Sequence, residues 1–189
     1  QVAVFPKVNR ELNPNPSSIN DQDKHPVEQV SWEDVVEFCD RLTRFTRACL
    51  SVNGQLGYRL PSESEWEYAC RAGSTTAYHF GKTITREVAN YDGVAGTTEV
   101  GQFNVANAFG LYEMHGNVWE WCQDVEHENY KGAPTDGSAW MTEGAQNKRV
   151  LRGGSWIGVP SLCRSAYRLY DSHASRGTGL GFRVVLSPA

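Results

Sequence analysis

From Gly81 to Gly154 eleven glycines punctuate the sequence. The strand-like pieces between and after them are short: Val118 to Cys122, Val150 to Leu151 and Phe182 to Leu186. Glycine weakens helix and strand interiors and marks turns, so this region must fold as ordered irregular loop around a few strands. Such loops hold only where each buried backbone N–H and C=O finds a partner. Buried Trp or Arg side chains and bound metal are the expected fixing points.

Two helices precede that region. Ser31 with Asp34 three residues on forms a capping-box-like start, after which Trp32, Val35, Val36, Cys39 and Leu42 recur at helical spacing to about Phe45. In Pro61-Ser-Glu-Ser-Glu65, Ser62 is the expected N-cap with Glu65 at N3. Trp66, Ala69 and Cys70 then give the buried face, and Gly73 the C′ residue. Residues 1–30, rich in Asn, Pro and Asp, read as loop. The expected class is therefore α+β, with two helices, short antiparallel strands and extensive irregular loops.

At 189 residues the chain reads as one domain spanning 1–189, long enough for a real core. Net charge is −4 with scattered basic residues, which argues against a nucleic-acid or anionic-membrane surface. No apolar run approaches the roughly 20 residues of a membrane span. The five cysteines are widely spaced, with no C-x-x-C pair and no zinc-like Cys/His pattern. A reducing, cytoplasmic setting is the simplest account, ahead of secretion. Because the chain starts at Gln1, an upstream signal peptide or domain stays open.

Three motifs then converge: His25-Pro-Val-Glu-Gln-Val-Ser-Trp32, Arg59-Leu-Pro-Ser-Glu-Ser-Glu-Trp-Glu-Tyr-Ala69 and Phe109-Gly-Leu-Tyr-Glu-Met-His-Gly-Asn-Val-Trp-Glu-Trp121. With Arg152-Gly-Gly-Ser-Trp156 and Gly181-Phe-Arg-Val-Val185 they resemble, across residues 25 to 185, the formylglycine-generating enzyme (sulfatase-modifying factor) family. The resemblance implies a C-type-lectin-like fold, with further upstream residues that pair terminal strands.

The enzymes of that family use two active-site cysteines, copper and oxygen to oxidise a substrate cysteine. The matching positions here are Gly158 and Cys163. One thiolate cannot supply two-thiolate coordination of Cu(I), so no copper is expected, no catalytic residue is assigned and Cys163 reads as structural. A divergent enzyme using Cys163 alone is the alternative.

The C-terminal block also resembles the variable region of proteins diversified by retroelements, in which randomised template adenines turn Asn codons into many residues. Such changes cannot reach Lys, Glu, Gln, Met or Trp, and the non-framework residues from Ile157 to Leu180 contain none of these. The block has no clean helical or strand period. Its aromatic, small and hydroxyl side chains form a paratope-like mixture. The expected ligand-binding residues within 156–180 are Trp156, Ile157, Gly158, Val159, Ser161, Leu162, Tyr167, Leu169, Tyr170, Asp171, Ser172, His173, Ser175 and Thr178. Arg164, Arg168 and Arg183 are assigned to framework, pairing buried carbonyls or carboxylates. The ligand would be a protein or glycan. A docking module fused to an upstream effector domain is a further reading.

The family resemblance implies one structural Ca2+ site, formed by the Glu113 and Glu120 carboxylates with the Gly116 and Val118 carbonyls. A hard cation of this kind takes about six to eight oxygens. The bland reading is that Glu120 pairs with an arginine. A second family calcium site would use Asn90, but its downstream acidic loop is shortened here. His25, His79, His115 and His127 are dispersed in sequence, without zinc spacing.

Overall fold

The computed structural model describes residues 11–18, 24–50, 56–93 and 95–188. The reading of residues 1–30 as loop therefore falls partly outside the described residues. In chain order the elements are α1 (Trp32–Leu50), β1 (Leu56–Arg59), α2 (Glu63–Arg71), β2 (Trp119–Glu126), β3 (Ala145–Arg152), a short 3-10 helix (Pro160–Cys163), β4 (Leu169–Ser172), β5 (Leu180–Gly181) and β6 (Val185–Pro188). This is the α+β, loop-rich architecture expected, with residues 72–118 running as non-repetitive chain between α2 and β2.

α1 starts where its capping residues place it. Ser31 Oγ accepts from the Asp34 N–H at 3.2 Å, and Asp34 Oδ2 accepts from the Ser31 N–H at 2.9 Å. At the start of α2, Ser62 and Glu65 make the reciprocal capping box. The stop also falls as expected, with Gly73 at the C′ position. Ala72 adopts the left-handed cap conformation at φ 43, and Gly73 follows at φ 90.

Four strands form a sheet in the order β4-β3-β2-β5, antiparallel except for the parallel β2/β5 pair. β1 and β6 pair antiparallel in a separate ribbon. The strand expected at Phe182 to Leu186 is displaced, because β6 begins only at Val185. β4 corrects the sequence reading more strongly, since it lies inside a block that shows no strand period. Its register against β3, with Val150 opposite Tyr170 and Leu151 opposite Leu169, is set by tertiary pairing.

β2 is the axis of the molecule, its first seven residues all buried. Period-two alternation sends Trp119 and Trp121 into one cluster with Val30, Trp32, Val35, Cys39, Leu60 and Leu151. On the other face Cys122 joins Trp66, Cys70, Met114 and Val150. The two helices thus cover opposite faces of one sheet, and the indole N–H groups of Trp32 and Trp121 donate to the carbonyls of Cys122 and Val30, at 3.0 Å each.

Candidate functional site

The Trp156–Thr178 segment is held from below. The Trp156 N–H donates to Asn117 O at 2.9 Å, and its carbonyl accepts from the Gly93 N–H at 2.7 Å. The Gly158 carbonyl accepts from the Asp92 N–H at 2.8 Å. The Trp156 indole N–H donates to Thr178 O at 3.0 Å, which ties the first turn of the segment to its last. Ile157 (56% exposed) and Val159 (49%) stand out to solvent beside exposed Pro160 and Ser161. Two bulky apolar side chains thus stand outward on a well-fixed backbone, although burial would stabilise each by roughly 1.5–3 kcal/mol.

The expected binding residues form two groups rather than one patch. Trp156, Ile157, Gly158, Val159, Ser161, Leu162 and Thr178 belong to the corner adjoining β5, where Trp119 pairs with Leu180. Leu169, Tyr170, Asp171 and Ser172 make β4, the opposite edge strand, with His173 and Ser175 in the turn beyond it. Tyr170 is exposed, with the Lys148 ammonium 5.0 Å from its ring centroid. His173 lies 2.9 Å from Glu33 of α1, and Ser175 Oγ donates to Asp171 at 2.9 Å. Leu162, Tyr167 and Leu169 are half-buried against the first core cluster, so part of their area supports the fold.

Cys163 lies beneath the exposed turn and is fully buried. Burial pushes its thiol pKa up to about 12. A Cβ on Gly154 would sit 2.5 Å from the Cys163 sulfur, which shows how tightly the two backbones close on it. A thiol held neutral in apolar surroundings is a poor nucleophile and a poor soft-metal ligand. Gly158 has no such constraint: the nearest heavy atoms to an added Cβ are at 3.4 Å.

Behind Cys163 the carbonyl oxygen of that residue meets His115 Nδ1 at 2.7 Å, and His115 Nε2 accepts from the His79 N–H at 3.0 Å. Burial drives the His115 pKa down to about 4. His79 and His115, far apart in sequence, stack at 5.0 Å, with the Cys70 sulfur 3.8 Å from His115 Nε2. Among the described residues no group of three or more His, Cys, Asp or Glu is arranged to hold a metal ion.

Of the four residues expected to bind calcium, the two carboxylates already have protein partners. Both Glu120 oxygens are taken: Oε2 accepts from Arg183 Nε at 2.5 Å and from the Trp66 indole at 2.5 Å, and Oε1 accepts from Arg183 Nη2 at 2.6 Å. A divalent ion there would face a guanidinium it could not displace without exposing a buried charge. Glu113 Oε1 accepts from the Gly101 N–H at 2.9 Å, while Oε2 is buried without a partner. Burial raises the Glu113 pKa, with the Gly101 hydrogen bond and Arg183 opposing. Gly116 packs directly on Asn90, whose carbonyl oxygen would lie 2.2 Å from an added Cβ. The Asn90 side chain donates to Gly96 O at 3.0 Å.

Of the three arginines assigned to framework, two serve that role. Arg183 holds Glu120, and Arg168 bonds Glu63, with Nη2 to Oε2 at 2.9 Å. Glu63 also accepts from Arg152, which is fully buried, at 3.1 Å. Arg164 departs from the expectation: it is exposed, and its one hydrogen bond among the described residues goes to the Ser161 carbonyl, at 3.0 Å.

Known proteins share this fold. Residues 4–188 match the sulfatase-modifying factor enzyme 1-like domain. A formylglycine-generating enzyme of Thermomonospora curvata is 33% identical over 91% of this chain and 59% of its own length. A serine/threonine-protein kinase Pkn1 of Chlamydia trachomatis is 33% identical over 85% of the chain but 24% of its own length. Variable protein 1 of Treponema denticola superposes with a TM-score of 0.77 at 29% identity, over 93% of this chain and 78% of that one. PvdO of Pseudomonas aeruginosa gives 0.76 at 38% identity, over 88% and 63%. The chain spans about half the length of the formylglycine-generating enzymes it matches, from 45% to 60%. With a family match running from residue 4 to residue 188, this chain belongs to the sulfatase-modifying factor enzyme 1-like domain family.

Proposed function

We propose that the chain is a non-catalytic ligand-binding domain, with the Trp156–Thr178 segment as its recognition surface. The observation that carries this reading is the pairing of a half-buried Gly158, between exposed Ile157 and Val159, with a fully buried Cys163 beneath it. The two-thiol chemistry that the family resemblance implies has one thiol missing and the other inaccessible, while the backbone that would present them is intact and carries exposed Ile157 and Val159. The fold likeness to a variable protein supports the same reading, as does the lack, among the non-framework residues from Ile157 to Leu180, of those that adenine randomisation of Asn codons cannot produce. A protein partner suits the exposed aliphatic turn, which would supply the apolar centre of an interface.

The test replaces Ile157, Val159 and Ser161 together by Ala and screens the domain against a protein and glycan panel. Loss of a wild-type binding signal with thermal stability unchanged supports a recognition surface. Binding that survives the triple substitution refutes this placement.

The relatives named formylglycine-generating enzyme keep a second reading open to experiment, oxidation of a substrate thiol through Cys163. Copper-dependent oxygen consumption abolished by Cys163→Ala would establish it. Similarity to part of a kinase chain suits a domain fused to an upstream effector, which is compatible with binding.

A further inference from the structure

We infer that the cleft between Arg71 and Arg164 is a receptor for an oxyanion, of the phosphoryl type. The cleft is a cavity of about 250 Å³ lined by Arg71, Thr75, Thr76, Ala77, Arg164 and Ala166. One wall is the end of α2 and the turn after it; the other is the chain leaving Cys163. The two walls are fixed to each other by the Ser165 N–H donating to Ala77 O at 2.8 Å. The site therefore does not depend on a loop closing.

Both guanidiniums are oriented but incompletely used. Arg71 Nε donates to Glu67 at 2.8 Å and Nη1 to Thr76 O at 3.1 Å, leaving Nη2 without a protein partner among the described residues. Arg164 is held at Nε by Ser161 O and lies 6.0 Å from the Tyr167 ring centroid, which leaves both of its Nη groups free of protein partners among the described residues. Arg164, anchored at one nitrogen and open at two, is arranged to fork onto an oxyanion, and Arg71 keeps Nη2 to add a further hydrogen bond. Donors from two separate walls suit a tetrahedral phosphoryl group better than a planar carboxylate, which one fork satisfies.

Local charge favours an anion. Glu67 is shared by Arg71 and buried Arg152, and Glu63 by Arg152 and Arg168. With Arg164, four guanidiniums thus stand against two carboxylates. Asp124, which accepts from the Glu63 N–H at 2.7 Å, reduces the excess without removing it. Arg164 has no carboxylate contact among the described residues. The inference stands apart from the recognition reading above, because it is defined by the cleft and tested with a free ion.

The experiment is a titration of the 15N-labelled chain with inorganic phosphate, then acetate, at matched ionic strength. Saturable shifts at the backbone amides of Thr75–Ala77 and Arg164–Ala166 are expected with phosphate, and weaker ones with acetate. Arg164→Gln should weaken the phosphate response about tenfold, the loss of a charge-assisted fork. Arg164→Lys should recover part of it, and Arg44→Gln on exposed α1 none of the loss. Because Arg164 is exposed, unchanged melting temperatures are expected for its variants. No saturable response, an equal response in Arg164→Gln, or tighter acetate than phosphate binding would each overturn the assignment.

Discussion

Arg183 grips Glu120 through two nitrogens, at 2.5 and 2.6 Å, and so takes both oxygens of a carboxylate that also receives the Trp66 indole N–H. This ion pair joins the chain after β5 to the start of β2 and to α2. Removing one partner leaves the other charge buried and unpaired. Glu120→Gln is expected to lower unfolding free energy by about 3 kcal/mol. The loss should be the same in excess calcium and in chelator, as measured by denaturant titration. A calcium-dependent difference would show that the carboxylate serves an ion instead.

Thiol accessibility separates the five cysteines. Cys39, Cys70, Cys122 and Cys163 are buried, and Cys49 is exposed. Burial holds the thiols of Cys39, Cys70 and Cys163 neutral up to about pH 12. Native protein at pH 8 should therefore show one fast-reacting thiol towards a colorimetric disulfide reagent, lost in Cys49→Ser. Rapid modification of Cys163, located by mass spectrometry, would revive the enzymatic reading.

Gly154 and Gly158 should respond oppositely to substitution. Gly154 has φ +82, and a Cβ would press on the Cys163 sulfur at 2.5 Å. Gly154→Ala is expected to cost about 3 kcal/mol or more, from backbone strain and overpacking together. At Gly158 the nearest contacts are ordinary, so Gly158→Cys should fold with a change within about 1 kcal/mol. Thermal unfolding of the two variants side by side decides this.

His115 makes the fold acid-sensitive. Its pKa falls to about 4 through burial, from an unfolded value near 6.5. The unfolded chain thus binds a proton that the native imidazole refuses. This contribution to stability is fully present above about pH 6.5 and is lost as pH falls towards 4, by up to about 3 kcal/mol. His79, also shifted down by burial, acts in the same direction. Asp124, whose carboxyl is shifted up by burial, offsets part of the loss at the acid end. Denaturation free energies between pH 7 and 4.5 should fall less steeply in His115→Gln than in the wild type.

The helices, the capping residues and both faces of β2 were legible because each rests on local or short-period patterns. Ser62 and Glu65 bond to each other's backbones, and Trp119 and Trp121 alternate with Glu120 and Cys122 whatever the rest of the chain does. β4 was not legible, since Leu169-Tyr-Asp-Ser172 has no alternation of its own and becomes a strand only by pairing with β3. Arg164 misled for a related reason. It looks like its neighbour Arg168, yet among the described residues it meets no carboxylate, and it lines the Arg71 cleft instead.

The sequence by itself determined the class of fold, the family and the missing thiol at Gly158, because those depend on residue identity and spacing along the chain. Tertiary structure decided which groups meet. It gave Glu120 to Arg183, sealed Cys163 under Gly154, stacked His79 on His115 and divided the expected binding residues between two sheet edges. Charge pairing and burial are set by distances between segments remote in sequence, and only the folded chain fixes those distances.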